Sequence, residues 1–176
     1  MQVTILKNCG KIACQRKNDM NLRKIEIKEI VAFSLNQLME LVGDVANYPD
    51  FLPWVKAAKI WDMDEDKSSF SAQLLIGYKA FRATFSTKVT IDTQNQTVRT
   101  HLIEDGKSAR GIFSRPLKSL DCKWAFSPNE NGTEIHLVIE LEFADMMLAK
   151  LVGNNLHKAS ARIMNAFIEE AKKRYH

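Results

Sequence analysis

The sequence predicts an α+β domain, a curved antiparallel sheet of about six to seven strands around one long C-terminal helix. Three observations carry this prediction. Between residues 69 and 143 apolar side chains recur with period two, in runs broken by turn-forming residues. From Asp145 onward the spacing changes to that of a helix. One-sided strands joined by short turns leave one dry face, and a single terminal helix is available to cover it.

In chain order, Lys24 to Val31 reads as an edge strand, with Ile25, Ile27 and Val31 on one side and Lys24, Lys28 and Ile30 on the other. Ser34 is a good helix N-cap, and Leu35, Leu38, Met39, Leu41, Val42 and Val45 follow at helical spacing. Pro49 and Pro53 then fix their own φ angles and are expected to push Tyr48 and Leu52 out of helical geometry. The chain turns there while carrying Tyr48, Phe51, Leu52 and Trp54, a rigid aromatic corner that either plugs a core or lines a site.

Strands are expected over Phe70–Ile76, Phe81–Ile91, Val98–Ile103, Leu120–Phe126 and Ile135–Phe143, with Ser127–Gly132 as a turn. The final helix is expected to run from Asp145 to about Tyr175 with an apolar stripe of Leu148, Val152, Ala159, Ile163 and Phe167. Gly153, Asn154 and Asn155 interrupt it with poor helix formers. At ~1.5 Å per residue such a helix spans roughly 45 Å, enough to cross a sheet.

Composition narrows the function. A chain of 176 residues, 45% hydrophobic and 26% charged, fits one globular domain, here 23–176, preceded by a tail over 1–22. The tail has Lys7, Lys11, Arg16 and Lys17 and no acid before Asp19. It fits a loose extension, a start at Met20, or a targeting peptide, although a transit peptide would be richer in Arg and Ser. No apolar run approaches the length of a membrane span. A net charge of +4 is too small to name nucleic acid or anionic lipid as partner, and nothing points to DNA. Three cysteines without zinc-like spacing favour a reducing compartment.

No catalytic pattern emerges. His101, His136, His157 and His176 pair with no acid or thiol at metal or triad spacing, and no glycine loop could cradle a phosphate. Glu140 and Glu142 fall on the wet face, without the shielding that paired catalytic carboxylates need. The reading is therefore no enzyme, no metal and no cofactor. Binding is better supported by the dry face, with Phe70, Phe81, Phe85, Trp124, Phe126, Phe143 and, from the helix, Phe167. These form either an ordinary core or the wall of a hollow. An empty hollow of ~300 Å³ would cost roughly 7 kcal/mol, comparable with a domain's whole stability of about 5–15 kcal/mol. A hollow, if present, is expected to hold an apolar guest. The segment from Asp105 to Lys118 reads as a lid, basic through Lys107, Arg110, Arg115 and Lys118 and apolar at Ile112 and Phe113. It suits membrane headgroups or an RNA backbone, or is a solvated connector.

Four segments together resemble the coenzyme Q-binding START-domain family over residues 24 to 175. They are Asp44-Val45-x-x-Tyr48-Pro49-x-Phe51-Leu52-Pro53-Trp54; Leu74-x-Ile76-Gly77-Tyr78; Pro116-Leu117-x-x-Leu120-x-x-x-Trp124-x-Phe126; and Leu141-Glu142-Phe143 with Ala166-Phe167 and Ala171. The chain departs from the family at Val55, where many members have Cys, at Leu117, which replaces an aromatic, and in an insertion between Gly106 and Pro116. The resemblance implies a START-like helix-grip fold with a hydrophobic tunnel.

One branch of the family binds ubiquinone-type isoprenoid quinones, as bound ligand rather than cofactor, in support of respiratory electron transport. Another branch is a bacterial ribosome-association toxin that binds the large subunit and blocks subunit joining. The first implies a quinone carrier or chaperone with peripheral membrane contact. Tyr48, Pro49, Phe51, Leu52, Pro53 and Trp54 would form the mouth, and Leu74, Ile76, Phe85, Val89, Leu120, Trp124, Phe143 and Phe167 the wall. The alternative implies the large ribosomal subunit as partner, through the basic lid. A polyketide cyclase or aromatase is a distant third reading. The expected location is the bacterial cytoplasm or the inner face of its membrane, or the matrix side of the mitochondrial inner membrane.

Overall fold

Alternation along the chain, interrupted at two bulges, produces a seven-stranded sheet whose inward and outward faces differ sharply in chemistry. The structure, a computed structural model, describes residues 22–78, 81–103, 116–146, 149–150 and 155–175. The strands are β1 (Leu22–Val31), β2 (Val55–Trp61), β3 (Ser69–Tyr78), β4 (Phe81–Asp92), β5 (Thr97–Ile103), β6 (Leu117–Asn129) and β7 (Gly132–Phe143). Helix α1 covers Leu35–Gly43, a 3₁₀ turn covers Val45–Asn47, α2 covers Tyr48–Phe51 and α3 covers Leu156–Tyr175.

The sheet order is β1-β7-β6-β5-β4-β3-β2 and every pairing is antiparallel. β2 to β7 form a meander, and β1 adds at the β7 edge, the edge position expected for it. Bulges between Val55 and Ala57 and between Leu117 and Ser119 bend the sheet near two of its ends.

Ser34 caps α1 as expected. Its hydroxyl accepts from the Gln37 backbone N–H at 3.3 Å, while the Gln37 side chain accepts from the Ser34 N–H at 2.9 Å, a closed capping box. Leu38, Met39, Leu41 and Val42 bury one face of this helix.

Four expectations need correction. Tyr48 is not driven out of helical geometry by Pro49 but sits at φ −53°, ψ −36°. Pro49 lies in the first turn of α2, where its missing N–H costs nothing, and the Tyr48 hydroxyl donates to the Val42 carbonyl at 2.5 Å. Leu52, at ψ 124°, does leave the helix. Strand β2 escaped notice because its sequence, Val-Lys-Ala-Ala-Lys-Ile-Trp, contains a bulge that breaks the alternation.

The turn expected over Ser127–Gly132 is a two-residue hairpin turn, Glu130-Asn131, because β6 continues to Asn129 and pairs Pro128 with Thr133. Proline is tolerated there because the β5 pairing ends at Ala125, so β6 carries only one neighbour beyond that point. Gly132, at φ +130°, closes the turn, and a Cβ on it would lie 2.1 Å from the Val31 carbonyl oxygen.

The fourth correction concerns α3. The most buried seam is Ser160, Met164, Phe167 and Ala171, with Ala159 and Ile163 half-buried on its flank. Ser160 fits this seam because its hydroxyl donates to the His157 carbonyl at 2.9 Å. Residues 146, 149 and 150 are helical too; Leu148 and Val152 of the expected stripe, and the tail over 1–21, lie outside the described residues. Among the described residues no helix is long and apolar enough to cross a membrane.

Candidate functional site

Among the described residues, the inward face of the sheet carries two separate buried clusters rather than one. The larger unites Phe70, Val89, Val98, Trp124, Phe126, Ile135 and Leu137 with α1 and with Met164 and Phe167 of α3. The smaller joins Leu141, Phe143 and Ala149, with Leu117, Leu120 and Leu156 packed against it. Register places a belt between them. Leu74 faces Phe85 across β3 and β4, Thr87 faces Leu102 across β4 and β5, and Cys122 lies between Thr100 and Ile139 on its two neighbours. Leu74, Phe85, Leu102, Cys122 and Ile139 point inward yet remain only half-buried, as do Ile76, Leu120 and Ile163. Ile139 touches both clusters, whereas Phe85 and Leu102 belong to neither among the described residues. Incomplete burial of apolar groups on an inward face is unusual in a close-packed interior.

An aromatic group borders this belt. Phe167 lies 5.4 Å from Tyr48, 5.1 Å from Phe51 and 4.9 Å from Trp124 between ring centroids, all edge-to-face. Tyr48 and Phe51 are themselves T-shaped at 5.7 Å, and Trp124 stacks on Phe126 at 6.5 Å. Such pairs add about 0.5–1.5 kcal/mol each beyond their burial. The proline corner therefore delivers Tyr48 and Phe51 onto α3. Arg174 secures the arrangement from the side, donating to Asp44 at 2.6 Å and to Glu170 at 2.8 Å, with its guanidinium 5.8 Å from the centre of the Phe51 ring.

Polar groups near the belt are neutral. Burial, reinforced by nearby Asp121, pushes the Cys122 thiol up to about 12. Burial also holds the Tyr48 phenol well above its ordinary range. Neither supplies a nucleophile at neutral pH. His101 and His157 are exposed, and His136 lies on the outer face, 2.7 Å from Glu26. Glu140 pairs with Lys24 at 2.7 Å and Glu142 with Lys118 at 2.9 Å, both on the outer face. Among the described residues no group of His, Cys, Asp and Glu could hold a metal ion.

The residues expected from the sequence are thus distributed in three ways. Leu74, Ile76, Phe85 and Leu120 line or border the belt; Tyr48, Phe51, Trp124 and Phe167 make the aromatic wall; Leu52, Val89 and Phe143 are buried in the two clusters. Pro49 is half-buried and Pro53 exposed. Trp54 is half-buried, and its carbonyl accepts from the Gly77 N–H at 2.8 Å. Lys118 is not part of a lid but belongs to β6, tied to Glu142. Lys107, Arg110 and Arg115 lie outside the described residues. Sequence reasoning missed Cys122 and Leu102 as belt residues, although their alternation with Asp121 and His101 marks both as inward.

A second, open groove of about 440 Å³ lies at the β6–β7 hairpin, lined by Phe33, Ser34, Leu35, Pro128, Gly132 and Thr133 among others. It has no titratable side chain in its lining, and Thr133 already donates to the Phe33 carbonyl at 2.7 Å.

Comparison with known proteins agrees with this geometry. The ribosome association toxin RatA of Rickettsia prowazekii is 28% identical over 144 residues, 82% of this chain and 92% of that one. The mitochondrial coenzyme Q-binding protein COQ10 of Drosophila melanogaster is 23% identical over 151 residues, 84% of this chain and 57% of that one. The crystal structure of the Zhui aromatase/cyclase from Streptomyces sp. R1128 has the same fold, with a TM-score of 0.73 at 14% identity over 88% of this chain and 96% of that one. Residues 31–168 match the family described as polyketide cyclase / dehydrase and lipid transport, so the chain belongs to that family.

Proposed function

We propose that this protein binds an apolar guest of the isoprenoid quinone class in the interior belt and acts as its carrier or chaperone without catalysing a reaction on it. The observation that carries the reading is the row of inward-facing, half-buried apolar residues, Leu74, Phe85, Leu102, Leu120 and Ile139, between two separate buried clusters. Apolar surface left unburied on an inward face costs about 25 cal/mol per Å², and a guest rich in methyl and methylene groups removes that cost. The neutral Tyr48, Cys122 and Thr100 offer weak polar contacts to a quinone head and no acid–base chemistry. The likeness to a coenzyme Q-binding protein supports the quinone class.

The test is extraction of the purified protein with organic solvent, followed by mass spectrometry. A quinone should be recovered from the wild type and largely lost from Phe85→Asp, which places a charge in the belt. Repeated recovery of empty wild-type protein from quinone-rich cells, with no uptake of added short-chain ubiquinone, would end the reading.

A second reading, association with the large ribosomal subunit, is favoured by one observation. The match to the ribosome association toxin spans 92% of that protein, against 57% of the coenzyme Q-binding one. Co-sedimentation with isolated large subunits tests it.

A further inference from the structure

The outer face of the sheet is divided by charge. Register turns Lys59 of β2, Arg82 and Lys88 of β4, Arg99 of β5 and Lys123 of β6 outward, and Lys56 lies over Gly77 on the same side. Acids on the outward positions of these strands are confined to Asp121, held by the Arg99 guanidinium, and Asp92, which caps the β4–β5 turn through Asn95. Across the next boundary β7 presents Glu134, Glu140 and Glu142 and no lysine or arginine. Lys59, Arg82, Arg99 and Lys123 are exposed and Lys88 is half-buried.

Two arrangements mark this face, the first of them partly offset because Asp121 already holds the Arg99 guanidinium. Arg99 is directly opposite Lys123, a like-charge pair, with Lys88 on the next strand diagonal to Arg99. Three cations therefore step across three adjacent strands, about 5 Å apart between Arg99 and Lys123 and about 7–8 Å between Lys88 and Arg99. Beside them one cross-strand row reads Trp61, Ser71, Lys88, His101, Asp121, with Ser71 buried and a ring on either side of Lys88 along the row. Among the described residues, the large apolar side chains that protrude, Leu22, Ile30, Met63 and Met146, all lie elsewhere, on β1, in the β2–β3 turn and before α3. A lipid surface asks for protruding apolar anchors next to its cations. A polynucleotide asks for cations on its phosphates and rings for its bases.

We propose that the outer face of β2–β6 is an RNA-binding surface, with Lys88 and Lys123 on phosphates and Trp61 and His101 available for base stacking. The proposal rests on the ribosome-association reading for the kind of partner and on the charge pattern for its location. It lies on the opposite side of the sheet from the interior belt.

Fluorescence anisotropy of the full chain with a labelled single-stranded RNA of mixed sequence tests it. The double variant Lys88→Glu/Lys123→Glu should bind at least tenfold more weakly, and its slope of log K against log salt should fall by about 1.4 relative to the wild type. Lys88→Gln/Lys123→Gln, which adds no charge, should move both quantities in the same direction and serves if the glutamate variant loses its circular dichroism. Lys24→Glu/Lys28→Glu on β1 should leave binding within twofold. Unchanged binding by both Lys88/Lys123 variants, equal loss in the β1 variant, or capture by phosphatidylserine vesicles in place of RNA would overturn the surface. Large subunits separate the two ideas. If the wild type binds RNA through this face but does not co-sediment, the ribosome reading fails alone; if Lys88→Glu/Lys123→Glu still co-sediments, the surface fails alone.

Discussion

Arg174, one residue from the end of α3, reaches back to Asp44 at the end of α1 and donates a hydrogen bond to its carboxylate at 2.6 Å. The same guanidinium donates to Glu170, whose side chain is only 10% exposed, and Lys173 approaches the other Glu170 oxygen at 3.7 Å. Removing Arg174 strands a nearly buried carboxylate. Because Arg174 and Asp44 are each about one-quarter exposed, the full cost of a broken buried pair does not apply. Arg174→Ala should lower stability by about 1–2 kcal/mol, and Arg174→Ala/Glu170→Gln should recover part of the loss. Urea denaturation measures both; equal stability of the two variants would refute the explanation.

Phe167 is the ring that Tyr48, Phe51 and Trp124 share. Phe167→Ala should cost about 3–5 kcal/mol, the range for truncating a buried aromatic side chain. Tyr48→Phe keeps the ring and loses only the bond to the Val42 carbonyl, so about 1–2 kcal/mol is expected. The difference between the two variants, read from thermal or urea unfolding, separates ring packing from the hydroxyl.

Cys122 makes stability fall in alkali. Its folded pKa is raised to about 12 from an ordinary 9.0, so its contribution is complete below pH 9. Above that the unfolded chain releases the thiol proton while the native chain keeps it, and stability declines by about 1.4 kcal/mol per pH unit until the folded pKa is reached. The raised Tyr48 phenol adds a decline of the same sign beginning near pH 10. Cys122→Ala in a background of Cys9→Ser/Cys14→Ser should flatten the curve between pH 9 and 10. In the same background native Cys122 should react slowly with a thiol reagent at pH 8 and quickly in urea.

Gly132→Ala should destabilise by about 2 kcal/mol or more, because φ +130° is reserved for glycine and the new methyl would strike the Val31 carbonyl. The measurement is the unfolding midpoint, with Asn131→Ala, at an exposed turn residue, as the mild comparison. A small effect at Gly132 would mean that the β1–α1 corner yields easily.

Most of the sheet was legible because alternation is a strong signal wherever one face is wet. In β7, Ile135, Leu137, Ile139, Leu141 and Phe143 alternate with Glu134, His136, Glu140 and Glu142, and all nine fall on the expected faces. Strand β2 was not legible because a bulge at Lys56 puts its alternation out of phase. Tyr48 stays helical because the local preference against helical geometry before proline is outweighed by its hydrogen bond to Val42, its ring contact with Phe51 and, from far along the chain, its ring contact with Phe167. The site was half legible. Alternation assigns a residue to the inward face, as it does Val89 and Phe85 alike, but it cannot distinguish Val89, at 1% exposure, from half-buried Phe85. That difference depends on what α3 and the rest of the chain place above each position.

Because Ser160, Met164, Phe167 and Ala171 are buried turn after turn, α3 is clamped to the sheet along most of its length and has no slack stretch between Leu156 and Phe167. Amide protons along that seam should exchange together, on the slow timescale of global unfolding. The rod behaves as a keel fixed to its hull and not as a hinged beam.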